Sequence, residues 1–188
     1  THLYRYPGVY TAVLTVKNNF NLIGRGEIVI TVDGNGTPYA GTPKTVPAVV
    51  QAEEYDLGGE GVAYHDSDPQ NKGVPFRANE GVDIEGCGDV GGGYDVGWIV
   101  TGEWMEYTIN VSETGYYELS ARVASVPGGG SYHISIDGIN VTGKKNVPVT
   151  GGWQFWTDVV STGIRLEAGV HIMRFDAEGP EFNFNYIN

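Results

Sequence analysis

Apolar and polar residues alternate with a period of two through most of this chain, and a helical period of 3.6 is nearly absent. Between residues 9 and 16, Tyr10, Ala12, Leu14 and Val16 share one face. Ile28, Ile30 and Val32 alternate with Val29 and Thr31. These two segments predict a hairpin-like pair joined by a long connection. The stretch DGNGTPYAGTPKTVP at 33–47 has no period and is rich in Gly, Pro and Thr, which predicts a linker.

Short alternating segments separated by glycine turns then follow. The first is Val49 to Glu54, which as a strand puts Gln51 and Glu53 on one face. Val82 and Ile84 are predicted inward, with Asp83 and Glu85 outward. Met105, Tyr107, Ile109 and Val111 share a face, as do Tyr117, Leu119, Ala121 and Val123, and then Tyr132, Ile134 and Ile136. Ile164 with Leu166, Val170 with Ile172, and the closing 182–187 segment add more strands. About ten short strands at this spacing predict an all-β fold, a two-sheet sandwich of the jelly-roll kind. The predicted organisation is a hairpin-like fragment of a second β-sandwich at 1–33, a linker at 34–47 and the sandwich at 48–188.

Composition sharpens this picture in three ways. Of 188 residues, 40% are hydrophobic and 12% aromatic, so a packed core is expected rather than disorder. The net charge of −12 repels phosphate, so nucleic acid and anionic membranes are not expected partners. The single cysteine, Cys87, makes no internal disulfide and reads as a bystander thiol. No apolar run reaches the roughly 18 residues a spanning helix needs. The chain opens in mid-pattern, which suggests a piece of a longer protein.

The segment YRYPGVYTAVLTVKNNFNLIGRGEIVITV resembles the C-terminal part of a PKD-type repeat, a spacer in exported multidomain proteins. Two or three strands alone bury little apolar surface. Residues 1–33 are therefore expected to pack on the second domain, to pair with another chain through open edges, or to be poorly ordered.

From Val50 onward the chain resembles family 6 carbohydrate-binding modules. The resemblance rests on QAEEYD at 51–56, GVAYHD at 61–66, FRANEGVDIE at 76–85, GGGYDVGWI at 91–99, GEWMEYTINV at 102–111, TGGWQFW at 150–156 and FNFNYI at 182–187, in that order. It implies a jelly-roll sandwich that binds polysaccharide and is tethered to a catalytic domain, a glycoside hydrolase. It also implies a secreted or cell-surface bacterial protein. A sugar ring has apolar C–H faces and a polar equator, so flat aromatics cover the faces while hydrogen-bonding groups read the hydroxyls. By resemblance, Tyr94 and Trp153 flank the sugar from two glycine-rich loops, and Asn183 lies on the cleft floor. Glu80 is a candidate acid at the cleft. Trp98 and Trp104, within strands, are expected in the core, although the family can carry a second cleft on a sheet face to which Trp98 is a possible contributor. The sequence departs from the family at Asp95, where Asn is usual. The ligand expected is a β-glucan of laminarin type, with xylan or agarose as alternatives.

The family often carries a structural calcium between its first and last strands. The resemblance assigns Gln51, Glu53 and Asn185 as side-chain ligands, with carbonyls from around 72–77, although Asp is often found where Asn185 stands. A glycoside hydrolase is the rival class. It needs two carboxylates about 5 to 10 Å apart in contrasting environments. Asp83 and Glu85, as outward neighbours on one strand, do not supply that contrast. His65, His133 and His171 lack metal-ligand spacing, and no Gly-x-Ser-x-Gly is present. The chain is therefore read as a non-catalytic binder, with a glycan-free adhesion module as the remaining alternative.

Overall fold

The computed structural model describes residues 8–20, 23–32 and 36–188, and the start of the PKD-like segment and part of the expected linker lie outside them. The chain divides into two units, 1–35 and 36–188. In the first, β1 (Gly8–Lys17) and β2 (Ile23–Val32) form an antiparallel ladder running from Gly8 opposite Val32 to Lys17 opposite Ile23. Alternation on both faces built these strands, and Leu14, Phe20, Ile28 and Val29 are all exposed.

The second unit is a two-sheet sandwich. Its strands are β3 (Lys44–Val46), β4 (Val50–Gln51), β5 (Tyr64–His65), β6 (Ile84–Gly86), β7 (Tyr94–Ile99), β8 (Trp104–Val111) and β9 (Gly115–Ala124). They continue with β10 (Ser131–Ile136), β11 (Ile139–Asn140), β12 (Lys145–Asn146), β13 (Thr157–Leu166), β14 (Gly169–Gly179) and β15 (Phe182–Ile187). One sheet runs β11-β10-β14-β8-β3, with β12 on β10 and β5 on β8; the other runs β13-β9-β15-β7-β6, with β4 on β15. No α-helix occurs among the described residues.

The inner faces follow the alternation. Met105, Tyr107, Ile109 and Val111 of β8 are buried, as are Leu119, Ala121 and Val123 of β9 and Tyr132, Ile134 and Ile136 of β10. Phe175 of β14 locks the two sheets together. Its ring stacks on Phe184 of β15 at 4.1 Å and on Tyr132 at 4.7 Å. Such offset stacks add to area burial.

Four expectations are corrected here. Much of the predicted linker belongs to the sandwich: Thr37 and Leu57 exchange backbone hydrogen bonds, and β3 pairs with β8 in parallel. Three prolines did not exclude pairing because Lys44–Val46 is an edge strand, where Pro43 and Pro47 flank the ladder rather than interrupt it. The strand predicted at Val49–Glu54 ends at Gln51, and Ala52–Glu54 form a 3-10 turn. In β14 the opposite parity faces inward: Met173, Phe175 and Ala177 are buried while Val170 is exposed. Asp83 is buried, not outward, because the Lys72 backbone N–H and ammonium both engage its carboxylate, at 2.6 and 3.3 Å.

Candidate carbohydrate-binding site

The strand β7 carries a bulge. Ile99 pairs with Phe182 and Val96 with Phe184, so Gly97 and Trp98 together stand opposite the single residue Asn183. Trp98 takes the extra turn with a left-handed φ of 49°. A non-glycine residue held there is uncommon and carries strain. The bulge re-aims its side chain. Trp98 is 47% exposed between buried Gly97 and buried Ile99. It is not a core residue, contrary to expectation. It also belongs to the β7 sheet, whereas the half-buried tryptophan on the other sheet is Trp104, whose ring lies under the Arg174 guanidinium at 3.9 Å.

Beside the bulge lies a square of two acids and two amides. The Asn183 amide nitrogen donates to Glu85 Oε1 at 2.6 Å and to Asp95 Oδ1 at 3.1 Å. The Gln154 amide nitrogen donates to Glu85 Oε1 and to Asp95 Oδ2, both at 3.0 Å. Gln154 Oε1 in turn accepts the Gly88 N–H at 2.6 Å. These bonds seat the 150–155 loop over the floor, and Trp153, the chain neighbour of Gln154, is 40% exposed. Gly97 supplies bare backbone: a Cβ there would stand 3.3 Å from Asn183 Oδ1 and 3.5 Å from Glu85 Oε1. The arrangement is thus a hydrogen-bonding floor with an exposed tryptophan next in sequence on either side, at Gly97–Trp98 and at Trp153–Gln154.

Asp95 is fully buried, with Glu85 beside it. Burial chiefly, and the Glu85 charge after it, push its carboxyl up to about 7 against the pull of the Gln154 hydrogen bond. The Cys87 thiol also hydrogen-bonds to Asp95, and burial raises that thiol to about 12. It is a protonated donor rather than a nucleophile.

The predicted residues divide. Trp153 and Asn183 come to one site. Tyr94 is half-buried: one face of its ring stacks on Phe76 at 4.4 Å, and the residue packs against the core. A half-occupied aromatic face is what a β7 residue facing the core should show, and the freedom expected from the preceding glycines is not realised. Glu80 is also placed elsewhere. Its Oε2 accepts the Arg77 Nε–H at 2.5 Å and the Tyr55 hydroxyl at 2.7 Å. Its charge is spent on a structural ion pair. Sequence reasoning missed Glu85 and Gln154 as site residues and named Trp98 only as a contributor to a second cleft on a sheet face. The one available signal was Gly97, since a glycine inside a strand marks a bulge or a close approach.

The residues assigned to calcium pass a test of fit. Glu53 is buried, and its Oε2 has no hydrogen-bond partner. Burial pushes its carboxyl up to about 7, against backbone hydrogen bonds from itself and Tyr94. A buried carboxylate oxygen without a donor suits a hard cation. Asn185 is buried on β15 next to β4, where Tyr186 pairs with Gln51, and its amide nitrogen donates to Asp89 at 3.0 Å, which leaves its carbonyl oxygen. Among the described residues no three His, Cys, Asp or Glu side chains gather as a metal cluster, so amide and backbone oxygens would complete such a site.

Comparison with known proteins identifies the family. Residues 72–188 match the family described as carbohydrate binding module (family 6). Over 108 residues the chain is 35% identical to the clotting factor G alpha subunit of Tachypleus tridentatus, a match covering 56% of this chain and 16% of that subunit. Among solved structures it is similar to the carbohydrate-binding module of Cellvibrio mixtus lichenase 5A in complex with cellotriose, at 33% identity and a TM-score of 0.57, covering 74% of this chain and 93% of that one. The C-terminal family 6 module of a marine laminarinase from Zobellia galactanivorans is 32% identical, with a TM-score of 0.58 and coverage of 74% and 95%. A β-1,3-glucan-binding family 6 module from Bacillus halodurans is 26% identical, with a TM-score of 0.58 and coverage of 78% and 97%. The chain belongs to carbohydrate-binding module family 6, whose members bind polysaccharide and are not catalytic.

Proposed function

We propose that the sandwich binds a β-glucan of laminarin type between Trp98 and Trp153, with Glu85, Asn183 and Gln154 on the floor. The observation that carries this reading is the β7 bulge, which spends backbone strain to hold an indole in solvent directly opposite Asn183. Nothing in core packing asks for that. The choice of glucan draws on the similar modules from a laminarinase and from a β-1,3-glucan binder. Xylan and agarose are the alternatives. Hydrolysis is disfavoured on geometry, since both Asp95 oxygens are bonded to amides and the residue is fully buried, out of a sugar's reach.

In its native setting the module would be exported and would hold an attached glycoside hydrolase on its substrate. Calcium would be held by Glu53, Gln51 and Asn185, supplying the positive charge that the buried Glu53 oxygen lacks. Affinity electrophoresis against laminarin, xylan and agarose tests the ligand: retardation by laminarin alone is expected, and retardation by none of the three overturns the reading. For calcium, chelator should lower the melting temperature of the native chain and leave Glu53→Gln unaffected. Equal melting of the native chain with and without chelator would remove calcium from the account.

A further inference from the structure

The geometry points to Asp95 as the residue that sets the hydrogen-bond polarity of the cleft floor. This deepens the proposed sugar site and rests on that reading. An ionised carboxylate, the state of Asp95 above about pH 7, accepts hydrogen bonds and donates none, whereas an amide presents a donor on one side and an acceptor on the other. Asn183 and Gln154 each point an NH2 at both Glu85 and Asp95, so all four amide N–H bonds end on carboxylate oxygens. Neither amide can turn without facing its carbonyl oxygen to a carboxylate. Gln154 Oε1 is already occupied by the Gly88 N–H. Asn183 Oδ1 has no protein partner among the described residues and lies under the bare backbone of Gly97.

The consequence is a floor that offers the ligand acceptors only, namely Asn183 Oδ1 and the remaining Glu85 oxygen. Every polar contact there must be donated by a sugar hydroxyl. No Lys or Arg among the described residues is bonded to Glu85 or Asp95, so no protein cation supplies a donor instead. Asp95 itself is buried and does not touch the sugar, so it acts by positioning. An amide in its place would bring two N–H donors into the square and oblige a neighbouring amide to turn, which would give the floor a donor.

The test replaces single hydroxyls of laminaritriose by fluorine, which accepts weakly but cannot donate. In calorimetric titrations at about pH 9, where Asp95 is ionised, fluorine at one or more positions should cut native affinity about tenfold or more. In Asp95→Asn the penalty at those positions should fall below threefold. Equal penalties in the two proteins, or no native penalty above threefold at any position, would overturn the proposal. A second reading needs neither sugar nor variant. The Asn183 side-chain amide protons of the native chain should resist solvent exchange by NMR, and rapid exchange of both would overturn the proposal. Absence of any binding to the parent trisaccharide would instead defeat the site reading, with the amide protons still deciding the polarity of the square.

Discussion

Two buried polar clusters stand in the sandwich, one around Arg77 and one around Asn183, and they are resolved in opposite ways. The Arg77 guanidinium bonds Glu80, the Glu53, Tyr55 and Asp56 carbonyls, and lies 3.4 Å over the Tyr55 ring. One cation meets one carboxylate, and the remaining donors cap carbonyls at the end of the 52–54 turn. The Asn183 cluster holds two carboxylates and no cation, only amides, beside a strained and exposed tryptophan. A cluster whose charges and hydrogen bonds close on themselves builds the fold. One that leaves an acceptor open next to an exposed ring is built for a ligand. The sequence offered Glu80 as the cleft acid and Glu85 as an outward strand residue, and only their partners reverse that assignment.

The largest effect should come from breaking the closed cluster. Arg77→Ala strands Glu80 and several carbonyls, and should cost about 3–5 kcal/mol of stability in urea titration. Affinity for laminarin in the protein that remains folded should change less than threefold. If stability instead holds within 0.5 kcal/mol, by the measure usual for about any surface site, the cluster is not structural. In the open cluster the pattern should invert. Trp153→Ala should lose at least about 2 kcal/mol of binding, roughly thirtyfold, with melting nearly unchanged. Retardation in laminarin gels like that of the native chain would contradict this.

The remaining effect is one of pH. Asp95 has its carboxyl raised to about 7 in the folded chain, so the folded state holds a proton that the unfolded state releases near 4. Its contribution to stability is present at pH below about 4 and is lost as pH rises through about 7. Relative to Asp95→Asn, the native chain should lose stability between those limits, by no more than about 1.4 kcal/mol per pH unit. Parallel stability profiles for the two proteins would mean that burial does not hold the Asp95 carboxyl up.

Much of the sandwich was legible because the two-residue period is a direct image of burial. Met105 to Val111 and Leu119 to Val123 read correctly from pattern alone. The period fails where both faces carry apolar residues, as at Val170 and Ile172, or where a buried acid finds a cation, as Asp83 finds Lys72. The site was half legible. Trp153 and Asn183 were named from their motifs, but Trp98 was expected in the core, with a second cleft on a sheet face as its alternative, because alternation cannot register a bulge that inserts one residue. Tyr94 was assigned to the cleft because its flanking glycines suggested freedom, while its partner Phe76 stands 18 positions earlier. Gln154 gave no signal, since its role exists only once a distant turn brings it to Glu85 and Asp95.

Whether Trp98 rather than Tyr94 is the stacking platform is decided by a paired titration. Laminarin oligosaccharide is titrated into Trp98→Ala and Tyr94→Ala beside the native chain. The predicted result is a loss of roughly thirtyfold or more in Trp98→Ala at unchanged melting temperature, against lower stability with affinity within about threefold in Tyr94→Ala. Full affinity in Trp98→Ala together with lost affinity in a folded Tyr94→Ala would contradict it.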